Sequence, residues 1–398
     1  MLTNKNILLG VTGSIAAYKI TGLITSLKKL GANVNVIMTK NAAEIITPLT
    51  MERLSGNKCV IDTFDKNVQY SVKHISLAET ADIVMLAPAT ANIIGKIACG
   101  IADDMLTTTI MACKCPVYIS PAMNTNMFEN PIVQDNIARL KAFGYNIIEP
   151  AVGRLACGTV GTGKMPEPEV LLDYILHELA HEKDMLGKKV IITAGATRES
   201  IDPVRFITNH STGKMGFALA AACARRGADV TVIKAAVTVP VPRFVNIVEV
   251  TSAEDMFEAV KARFDDCDIV IKAAAVADYT PVITADNKLK KHDGNMTIEL
   301  KRTTDILKWL GEHKKHQFLC GFSMETQNML ENSQRKLAAK NADMIVANNL
   351  KVDGAGFGTD TNIVTIITAD TSEELPIMSK NEVADKIIDK ILQKINII

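Results

Sequence analysis

Short runs of apolar, mostly β-branched residues alternate along the chain with longer amphipathic stretches. In the first half the apolar runs lie at residues 6–11, 33–39, 81–88 and 115–123. Each run is followed by a helical stretch, beginning with "SIAAYKITGLITSLKKLG" after the first. Because strands that are buried on both faces read as continuous apolar runs, this pattern predicts a parallel sheet covered by helices. Gly31 and Gly144 stand where a helix would end before the next strand.

The same pattern restarts near residue 188. The segment "KKVIITAGAT" reads as a strand that ends in glycine, and residues 211–235 read as a helix and a second strand. The first half contains "LGANVNVIM" and the second half contains "RGADVTVIK" at the corresponding place. Since 398 residues are about twice the usual domain size, we predict an α/β protein of two tandem Rossmann-like domains. The charged segment 177–189 marks the joint, and we place the domains at residues 1–184 and 185–398.

Charge and cysteine content narrow the class of protein. The chain has 44 Lys and Arg and 44 Asp and Glu, so its formal net charge is zero. That balance gives no electrostatic reason to expect nucleic acid or an anionic membrane as a partner. Of the eight cysteines only Cys113 and Cys115 lie close together, and no second pair completes a zinc site. A disulfide framework is implausible at this size, which favours a reducing cytoplasm.

The first twenty residues have some features of a signal peptide. Their apolar stretch is interrupted by Gly10 and Gly13, however, and leads into an amphipathic segment with Lys19. No apolar run reaches the roughly 20 residues needed to span a bilayer. We therefore expect a soluble, cytoplasmic protein.

The first half places small and hydroxylated residues at successive strand ends. Gly13 and Ser14 follow the first strand at a helix start, where free backbone N–H groups favour a phosphate. The full G-x-G-x-x-G spacing is absent, so the turn alone is equally typical of helix–sheet packing. Thr39, "PATAN" at 88–92 and "PAMNTNMF" at 121–128 follow the later strands. Ligands of open α/β sheets bind at this edge, so these segments are expected to share one crevice.

Five ordered motifs then identify a resemblance that covers residues 1–180. Their order is the one found in phosphopantothenoylcysteine decarboxylases, which have the homo-oligomeric flavin-containing cysteine decarboxylase fold. The five motifs are "GSIAAYK", "HISLAETAD", "PATANIIGKIACGIADD", "PAMNTNMF" and "RLACGTVGTGKM". One departure is Phe128, where many members have Trp. The resemblance implies FMN, held by Gly13, Ser14, Thr39, Thr90, Ala91, Asn92 and Ala122.

The same resemblance assigns roles in a decarboxylation that needs a flavin. Transient oxidation of the carbon that bears sulfur creates a C=S electron sink, CO2 leaves, and the flavin returns the hydride. His74 is implied as general base, although a lone histidine is by itself more typical of a structural role. Asn124 is implied to orient the substrate carboxylate; on its own it would be read as a turn cap. Cys157, carried on a glycine-rich loop that should close over the flavin, is implied as proton donor.

The second half carries the densest motif of the chain, "TAGATRESIDPVRFITNHSTGKMG" at 193–216. Arg198, Arg205 and Lys214 are expected to form an anion-binding surface near a helix start. The segment is not a P-loop. Downstream, "KLKK" begins at Lys288; taken alone, such a charge run is typical of an exposed surface.

The order of segments again matches one family. With "AAVADY", "KLKK", "TDIL", "GFSMET" and "KNADMIVAN", the dense motif resembles phosphopantothenate–cysteine ligases, which bacteria commonly fuse behind the decarboxylase. The whole chain thus resembles the bifunctional enzymes of coenzyme A biosynthesis. The implied ligation forms an acyl-cytidylate and pyrophosphate from CTP with Mg2+, after which cysteine displaces CMP.

The resemblance also implies the ligase site. Asn209 would hold the acyl-cytidylate and Lys288 would meet the triphosphate, while Phe322 would stack on cytosine. Ala196 replaces a frequent proline, and "TTDI" replaces "NPDI". Only the bacterial type of fusion favours CTP over ATP. The implied CTP pocket comprises Lys272, Ala273, Ala274, Asp278, Lys288, Thr304, Asp305, Ile306, Leu307, Phe322, Lys336 and Lys340.

Two other classes of function fit the sequence less well. A flavin-binding regulatory subunit would carry a long acidic tail, whereas this chain ends in the neutral stretch "NEVADKIIDKILQKINII". A pair of NAD-type dehydrogenase domains would close each second strand with an acidic residue, whereas these strands end in Met38-Thr39 and Lys234-Ala235. Family resemblance further implies trimers of flavin domains and dimers of ligase domains, which together build a homo-dodecamer that acts on small-molecule substrates.

Overall fold

The protein is described here by a computed structural model that covers residues 1–63, 73–156, 158–290, 295–325, 329–349 and 359–395. Cys157 lies outside the described residues. The chain divides into two compact units, Met1–His181 and Glu182–Ile398. The division falls three residues before the joint expected from the sequence, within the same charged segment.

The first unit alternates strands and helices as its apolar pattern predicts. The first strand covers the apolar run at 6–11 in full, and the second ends one residue before the run does. The elements, in chain order, are β1 Asn6–Val11, a 3₁₀ helix Ile15–Lys19, α1 Ile20–Lys29, β2 Asn33–Met38, α2 Lys40–Ala43, α3 Pro48–Ser55, α4 Lys73–Thr80, β3 Ile83–Ala89, α5 Ala91–Ala98, α6 Met105–Ala112, β4 Val117–Pro121, α7 Thr125–Phe128, α8 Pro131–Ala142, β5 Asn146–Ile147, β6 Ala151–Arg154, β7 Val160–Lys164 and α9 Pro168–Leu179.

The main sheet of this unit is parallel throughout, with strand order β2-β1-β3-β4-β5. Successive residues of β1 enter different apolar clusters: Leu8 packs in one and Leu9 in the other. Both faces of the sheet are therefore buried, which is why its strands read as continuous apolar runs. Gly31 and Gly144, with φ of +87° and +88°, follow α1 and α8 as expected.

The second unit also alternates strands and helices, and it adds further hairpins. Its elements are β8 Lys189–Ala194, β9 Arg198–Ser200, β10 Phe206–Thr208, α10 Lys214–Arg225, β11 Asp229–Lys234, β12 Asn246–Glu249, α11 Ala253–Phe264, β13 Ile269–Lys272, β14 Tyr279–Pro281, β15 Leu300–Arg302, α12 Ile306–His313, β16 Phe318–Glu325, α13 Met329–Ala339, β17 Met344–Asn349, β18 Thr361–Asn362, β19 Val364–Ile367, β20 Ser372–Glu374, β21 Met378–Ser379 and α14 Lys380–Ile395.

The large sheet of the second unit is mixed rather than purely parallel. Its order is β12-β11-β8-β13-β16-β17-β19-β20, and pairing is parallel from β12 to β17. The last two strands, β19 and β20, are antiparallel. They are joined by a tight turn in which Thr368 and Thr371 hydrogen-bond, and a connection this short permits only antiparallel pairing. The predicted fold of two tandem α/β domains with parallel sheets is confirmed, and the second sheet adds two antiparallel strands at one edge that the sequence pattern did not predict.

Among the described residues, no helix is both long enough and apolar enough to cross a membrane.

Candidate functional site

A cavity of about 970 Å³ opens at the carboxyl ends of β1, β2 and β3, and we call it the threonine cavity. Five of the seven residues predicted to hold FMN line it, so the strand ends converge as expected. These five are Gly13, Thr39, Thr90, Ala91 and Asn92.

The buried hydroxyl of Thr12 joins the segment that follows β1 to the end of β3 at this cavity. Thr12 was not among the residues predicted from the sequence. It donates to the carbonyl of Pro88 at 2.7 Å and accepts from the backbone N–H of Thr90 at 3.2 Å. Thr90 in turn caps α5, and Thr39 caps α2. Two helix N-termini are thus directed at the cavity by threonines at the strand ends, which suits an anionic group. The signal for Thr12 was its place directly after β1.

Gly13 is required by close packing. A Cβ at this position would lie 2.6 Å from the Cβ of Asn41, which also lines the cavity. The turn after β1 therefore approaches the turn after β2 more closely than any side chain would allow. Opposite, Lys96 pairs with Asp103 at 2.7 Å and with Asp104 at 3.5 Å, and all three line the cavity without having been predicted.

A second cavity of about 700 Å³ lies against the β6–β7 hairpin, and we call it the hairpin cavity. It is lined by Ser14 and Ala122, the two remaining predicted FMN residues, and by Asn124. Its wall includes Ala156, the residue directly before Cys157. The amide oxygen of Asn124 accepts from the backbone N–H of Asn126 at 2.9 Å, so the capping role considered from the sequence is present.

Glycines allow the hairpin to lie directly on the segment after β4. The N–H of Met123 donates to the carbonyl of Gly163 at 3.0 Å, and the Thr125 hydroxyl donates to the carbonyl of Thr162 at 2.8 Å. A Cβ on Gly163, whose φ is +111°, would lie 2.4 Å from the carbonyl oxygen of Met123. A Cβ on Gly161 would lie 2.4 Å from the Thr125 hydroxyl. The glycine-rich run therefore serves close backbone docking.

His74 lies in the first turn of α4 and is partly buried. It does not line either of these cavities. Because α4 precedes β3 in a parallel sheet, the amino end of this helix lies toward the edge where the strands end.

A cavity of about 580 Å³ in the second unit contains most of the predicted CTP residues, and we call it the lysine cavity. Ala273, Ala274 and Lys288 do not line it. Val276, Ala277, Tyr279, Arg302, Thr303 and Lys308 line it without having been predicted, although several adjoin predicted positions. The predicted residues that line it are Lys272, Asp278, Thr304, Asp305, Ile306, Leu307, Phe322, Lys336 and Lys340.

The lysine cavity contains a desolvated cation, although the charges of Asp305 and Asp278 partly offset its burial. Desolvation, reinforced by the charge of Lys336, lowers the pKa of Lys272 to about 8. Among the described residues the side chain of Lys272 forms no hydrogen bond or ion pair, whereas Lys340 pairs with Asp305 at 2.5 Å. Burial opposes ionisation of Asp305, but the hydrogen bond from Lys340 holds the pKa of this carboxyl below its usual value. The cavity is thus arranged to receive negative charge.

Lys336 and Lys340 lie four residues apart at the end of α13. The helix α13 ends at Ala339, so Lys340 follows it. Its N–H still donates to the carbonyl of Lys336 at 3.0 Å, which keeps the two side chains on the same side. The ammonium of Lys336 donates to the carbonyl of Phe322 at 3.4 Å.

Comparisons with known proteins agree with the division of the chain into two units. Residues 1–180 match the flavoprotein family, and residues 185–395 match the C-terminal domain family of the DNA/pantothenate metabolism flavoproteins. The coenzyme A biosynthesis bifunctional protein CoaBC of Bacillus subtilis is 52% identical over 98% of this chain and 97% of its own. This chain belongs to that family. The predicted bifunctional enzyme, with a flavoprotein decarboxylase domain before a ligase domain, is thereby confirmed.

Two further proteins are similar to most or to part of the chain. A cysteine/cysteine sulfinic acid decarboxylase from an unidentified prokaryote is 46% identical over 87% of this chain and 99% of its own. A crystal structure of the C-terminal domain of a CoaBC protein is 44% identical and has a TM-score of 0.47; the match covers 54% of this chain and 99% of that one.

In the ligase domain, the three cations expected to form an anion-binding surface all have partners within the chain. Arg198 stacks on the ring of Phe206 at 4.6 Å. Arg205 pairs with Asp202 at 2.5 Å, and Lys214 pairs with Asp360 at 2.7 Å. Arg205 and Lys214 are thus paired with carboxylates, whereas Arg198 contacts an aromatic ring. The anion-binding surface expected from these three residues stays a prediction.

The proposed catalytic residues of the ligase domain are exposed. The side-chain amide of Asn209 donates to the carbonyl of Ala275 at 3.3 Å, next to the strand end that carries Lys272. Lys288 is exposed on the segment that follows β14.

Proposed function

We propose that the two domains catalyse consecutive steps of coenzyme A biosynthesis. The ligase domain joins 4′-phosphopantothenate to L-cysteine through an acyl-cytidylate, at 185–398. The decarboxylase domain, at 1–184, converts the resulting 4′-phosphopantothenoylcysteine to 4′-phosphopantetheine. The observation that carries this proposal is that most of the predicted FMN-binding and CTP-binding residues line cavities within their own unit.

The residues of the threonine cavity fit FMN. Two threonine-capped helix starts supply backbone donors for a phosphate, and Gly13 allows the segments after β1 and β2 to pack closely beside them. Ser14 and Ala122 would contact the same cofactor from the hairpin cavity. When bound, FMN supplies the transient oxidation of the substrate carbon that bears sulfur, and its reversal.

The protein itself positions the substrate and moves protons. Asn124 would orient the substrate carboxylate from the hairpin cavity, and His74 would accept a proton near the thiol. Cys157, which follows Ala156 of the cavity wall, would protonate the enethiolate left after CO2 departs. The contacts of Gly161 and Gly163 support this role, because they fix β7, the arm that follows the cysteine, against the segment after β4.

CTP is proposed as the co-substrate of the lysine cavity. The substrate carboxylate attacks the α-phosphate, pyrophosphate leaves, and the cysteine amine then displaces CMP. Lys272, Lys336 and Lys340 neutralise phosphate charge in this step, with Lys288 on the triphosphate and Asn209 on the acyl-cytidylate. Mg2+ usually binds through nucleotide phosphates and waters with one or two carboxylates, and Asp278 supplies one in this cavity.

One assay tests both steps. The protein receives 4′-phosphopantothenate, L-cysteine, CTP and Mg2+, and pyrophosphate and CO2 are measured together. We expect both products, loss of both when CTP is omitted, and a lower rate with ATP. Release of CO2 from free cysteine without CTP would instead support the activity named for the cysteine decarboxylase relative. A colourless preparation that retains no flavin would contradict the FMN assignment.

Cys157→Ser isolates the proton-donor role. The variant should still reduce its flavin with 4′-phosphopantothenoylcysteine, but it should stall before 4′-phosphopantetheine forms. Pyrophosphate release by the ligase domain is the internal control and should not change. Normal turnover to 4′-phosphopantetheine would refute the assigned role.

We further propose a cytoplasmic homo-oligomer, built from trimers of the first domain and dimers of the second. Its mass in solution should be twelve times the 43.1 kDa of the chain, measured by mass photometry or light scattering.

A further inference from the structure

A buried carboxylate lies in the turn between β9 and β10 of the ligase domain. The side chain of Asp202 is fully buried. Its Oδ1 accepts from the backbone N–H groups of Val204 and Arg205, both at 2.8 Å. This oxygen therefore fixes the conformation of the turn itself.

The other oxygen of Asp202 reaches a different segment of the chain. Oδ2 accepts from Nε of Arg205 at 3.0 Å, from its Nη2 at 2.5 Å, and from the backbone N–H of Leu289 at 3.1 Å. Nη2 of Arg205 also donates to the carbonyl of Leu289 at 2.9 Å. Both polar backbone groups of Leu289 are thus held by one ion pair. We call Asp202, Arg205 and the backbone of Leu289 the clamp.

The segment that leads to the clamp is attached to the same turn. The hydroxyl of Thr284 donates to the carbonyl of Ser200 at 3.1 Å, and the N–H of Ala285 donates to the carbonyl of Ile201 at 3.0 Å. Lys288 lies between these attachments and Leu289, with its side chain exposed. Its backbone is therefore fixed on both sides while the ammonium group stays available.

The β9–β10 hairpin also carries the other proposed catalytic residue of the ligase. Asn209 follows β10 directly and contacts the carbonyl of Ala275. The hydroxyl of Thr208 donates to the carbonyl of Thr197 at 2.7 Å, and the hydroxyl of Thr197 accepts from the N–H of Ala277 at 2.9 Å. One small hairpin thus sets the positions of both Asn209 and Lys288 relative to the strand end at Lys272.

We propose that Asp202 and Arg205 are positioning residues that present Lys288 to the nucleotide triphosphate. Arg205 acts through the backbone of Leu289 and not as a phosphate ligand, since two of its three guanidinium nitrogens are engaged by the clamp. The proposal rests on the role of Lys288 given above. The hydrogen bonds from Arg205 hold the pKa of Asp202 far below its usual range, so the carboxylate stays ionised under all assay conditions.

Asp202→Asn separates the two functions of this side chain. The amide oxygen can still accept from Val204 and Arg205, so the turn is kept. The new NH2 group replaces Oδ2 and faces three N–H donors, so the clamp is broken. Asp286→Asn is the matched control, because it makes the same change at an exposed position of the same segment, outside the clamp.

Limited trypsin digestion tests the clamp without any activity. Cleavage after Lys288 and Lys290 should become about tenfold faster or more in Asp202→Asn, as expected when a charge-assisted hydrogen bond that opposes local opening is lost. Wild type and Asp286→Asn should be cut at the same slow rate. Equal cleavage of Asp202→Asn and wild type would overturn the clamp.

Ligation kinetics test the link to Lys288. Pyrophosphate release is compared in wild type, Asp202→Asn, Lys288→Ala and the double variant. Asp202→Asn should lower kcat by about 100-fold, the scale expected for a misplaced catalytic group. In the Lys288→Ala background the same change should have little further effect, since the two act as one unit. Independent, multiplicative losses would overturn the proposal.

Two further results keep the outcomes distinct. Full ligation by Lys288→Ala would refute the role given to Lys288 and with it the link to catalysis, while the trypsin result would still decide whether the clamp exists. If Asp202→Asn fails to fold, Arg205→Lys serves instead: it keeps the charge but cannot bridge Asp202 and the carbonyl of Leu289 together. It should show the same pattern of faster cleavage and non-additivity with Lys288→Ala, and a variant with neither would overturn the proposal.

Discussion

At the scale of single residues, the two domains place polar groups where burial changes their chemistry. The hydroxyl of Thr12 has both of its hydrogen-bonding functions used, by Pro88 and Thr90. Lys272 is the opposite case, since its ammonium is desolvated without a paired carboxylate among the described residues. The first arrangement stabilises a fold, and the second favours binding of an anion.

Nucleotide affinity should depend on the protonation of Lys272. Its pKa in the free protein is about 8, so above that pH the amine is neutral and binding of a triphosphate must take up a proton. Affinity should fall by up to about tenfold per pH unit above that value. Titration calorimetry with CTP between about pH 7 and pH 9.5, in buffers of different ionisation enthalpy, checks the proton uptake.

Lys272→Arg is the control, because a guanidinium remains protonated throughout this range. Its affinity should show no such decline, and an equal decline in both proteins would contradict the assignment. The same shift has a consequence for stability. Because the folded pKa is depressed, the free energy of unfolding should rise as the pH increases from about 8 toward 10.5.

Gly13→Ala should damage the flavin site through packing. The added Cβ would lie 2.6 Å from that of Asn41, so the turns after β1 and β2 must separate. We expect a loss of about 1–3 kcal/mol of stability and a lower flavin content. Gly22→Ala is the matched control, because Gly22 lies within α1 and an added Cβ would contact only Pro168, at 3.7 Å. It should retain flavin and gain up to about 1 kcal/mol.

At the scale of elements, short hairpins and helix caps do the positioning. The β6–β7 hairpin docks on the segment after β4 through glycine backbone, and the β9–β10 hairpin holds the segment that carries Lys288. In both cases a regular strand-and-helix framework supports an irregular piece that carries candidate chemistry. This is the usual division between scaffold and functional loop.

Gly163→Ala should undock the first of these hairpins. Its Cβ would lie 2.4 Å from the carbonyl of Met123, at a φ of +111° that side chains rarely adopt. Decarboxylation should fall by about 100-fold, because the thiol donor loses its position. Gly153→Ala in the same hairpin meets only the Lys164 side chain, at 3.4 Å, and should keep its activity. Equal rates of CO2 release in the two variants would contradict this docking role.

At the scale of the whole molecule, each unit has apolar clusters of its own. The clusters of the first unit draw on residues from Leu2 to Leu176, and those of the second on residues from Met185 to Leu392. Two tandem Rossmann-like domains with separate cores are expected to fold separately.

Division of the chain should therefore preserve both half-reactions. Residues 1–181 expressed alone should bind flavin, and residues 182–398 alone should release pyrophosphate from CTP with phosphopantothenate and cysteine. Circular dichroism melting and these two assays check the prediction. An unfolded C-terminal fragment would show that its core needs the first unit.

The sequence by itself determined the alternation of strands and helices, the tandem domains and the polar strand ends, because each follows from local periodicity and from the rules of parallel sheets. The helix ends at Gly31 and Gly144 could be predicted for the same reason. The family resemblance supplied the chemical roles and the binding residues, and most of the binding residues line cavities in the fold.

Only the tertiary structure decided which polar groups meet across long separations in sequence. Thr12 and Pro88 are 76 residues apart, and Asp202 and Leu289 are 87 apart. No local pattern encodes such pairs. The sequence alone therefore indicated Arg205 as an anion ligand and did not show its contacts with Asp202 and Leu289. The antiparallel edge at β19 and β20 was missed for a related reason: strand direction depends on the connection, which apolar runs do not record.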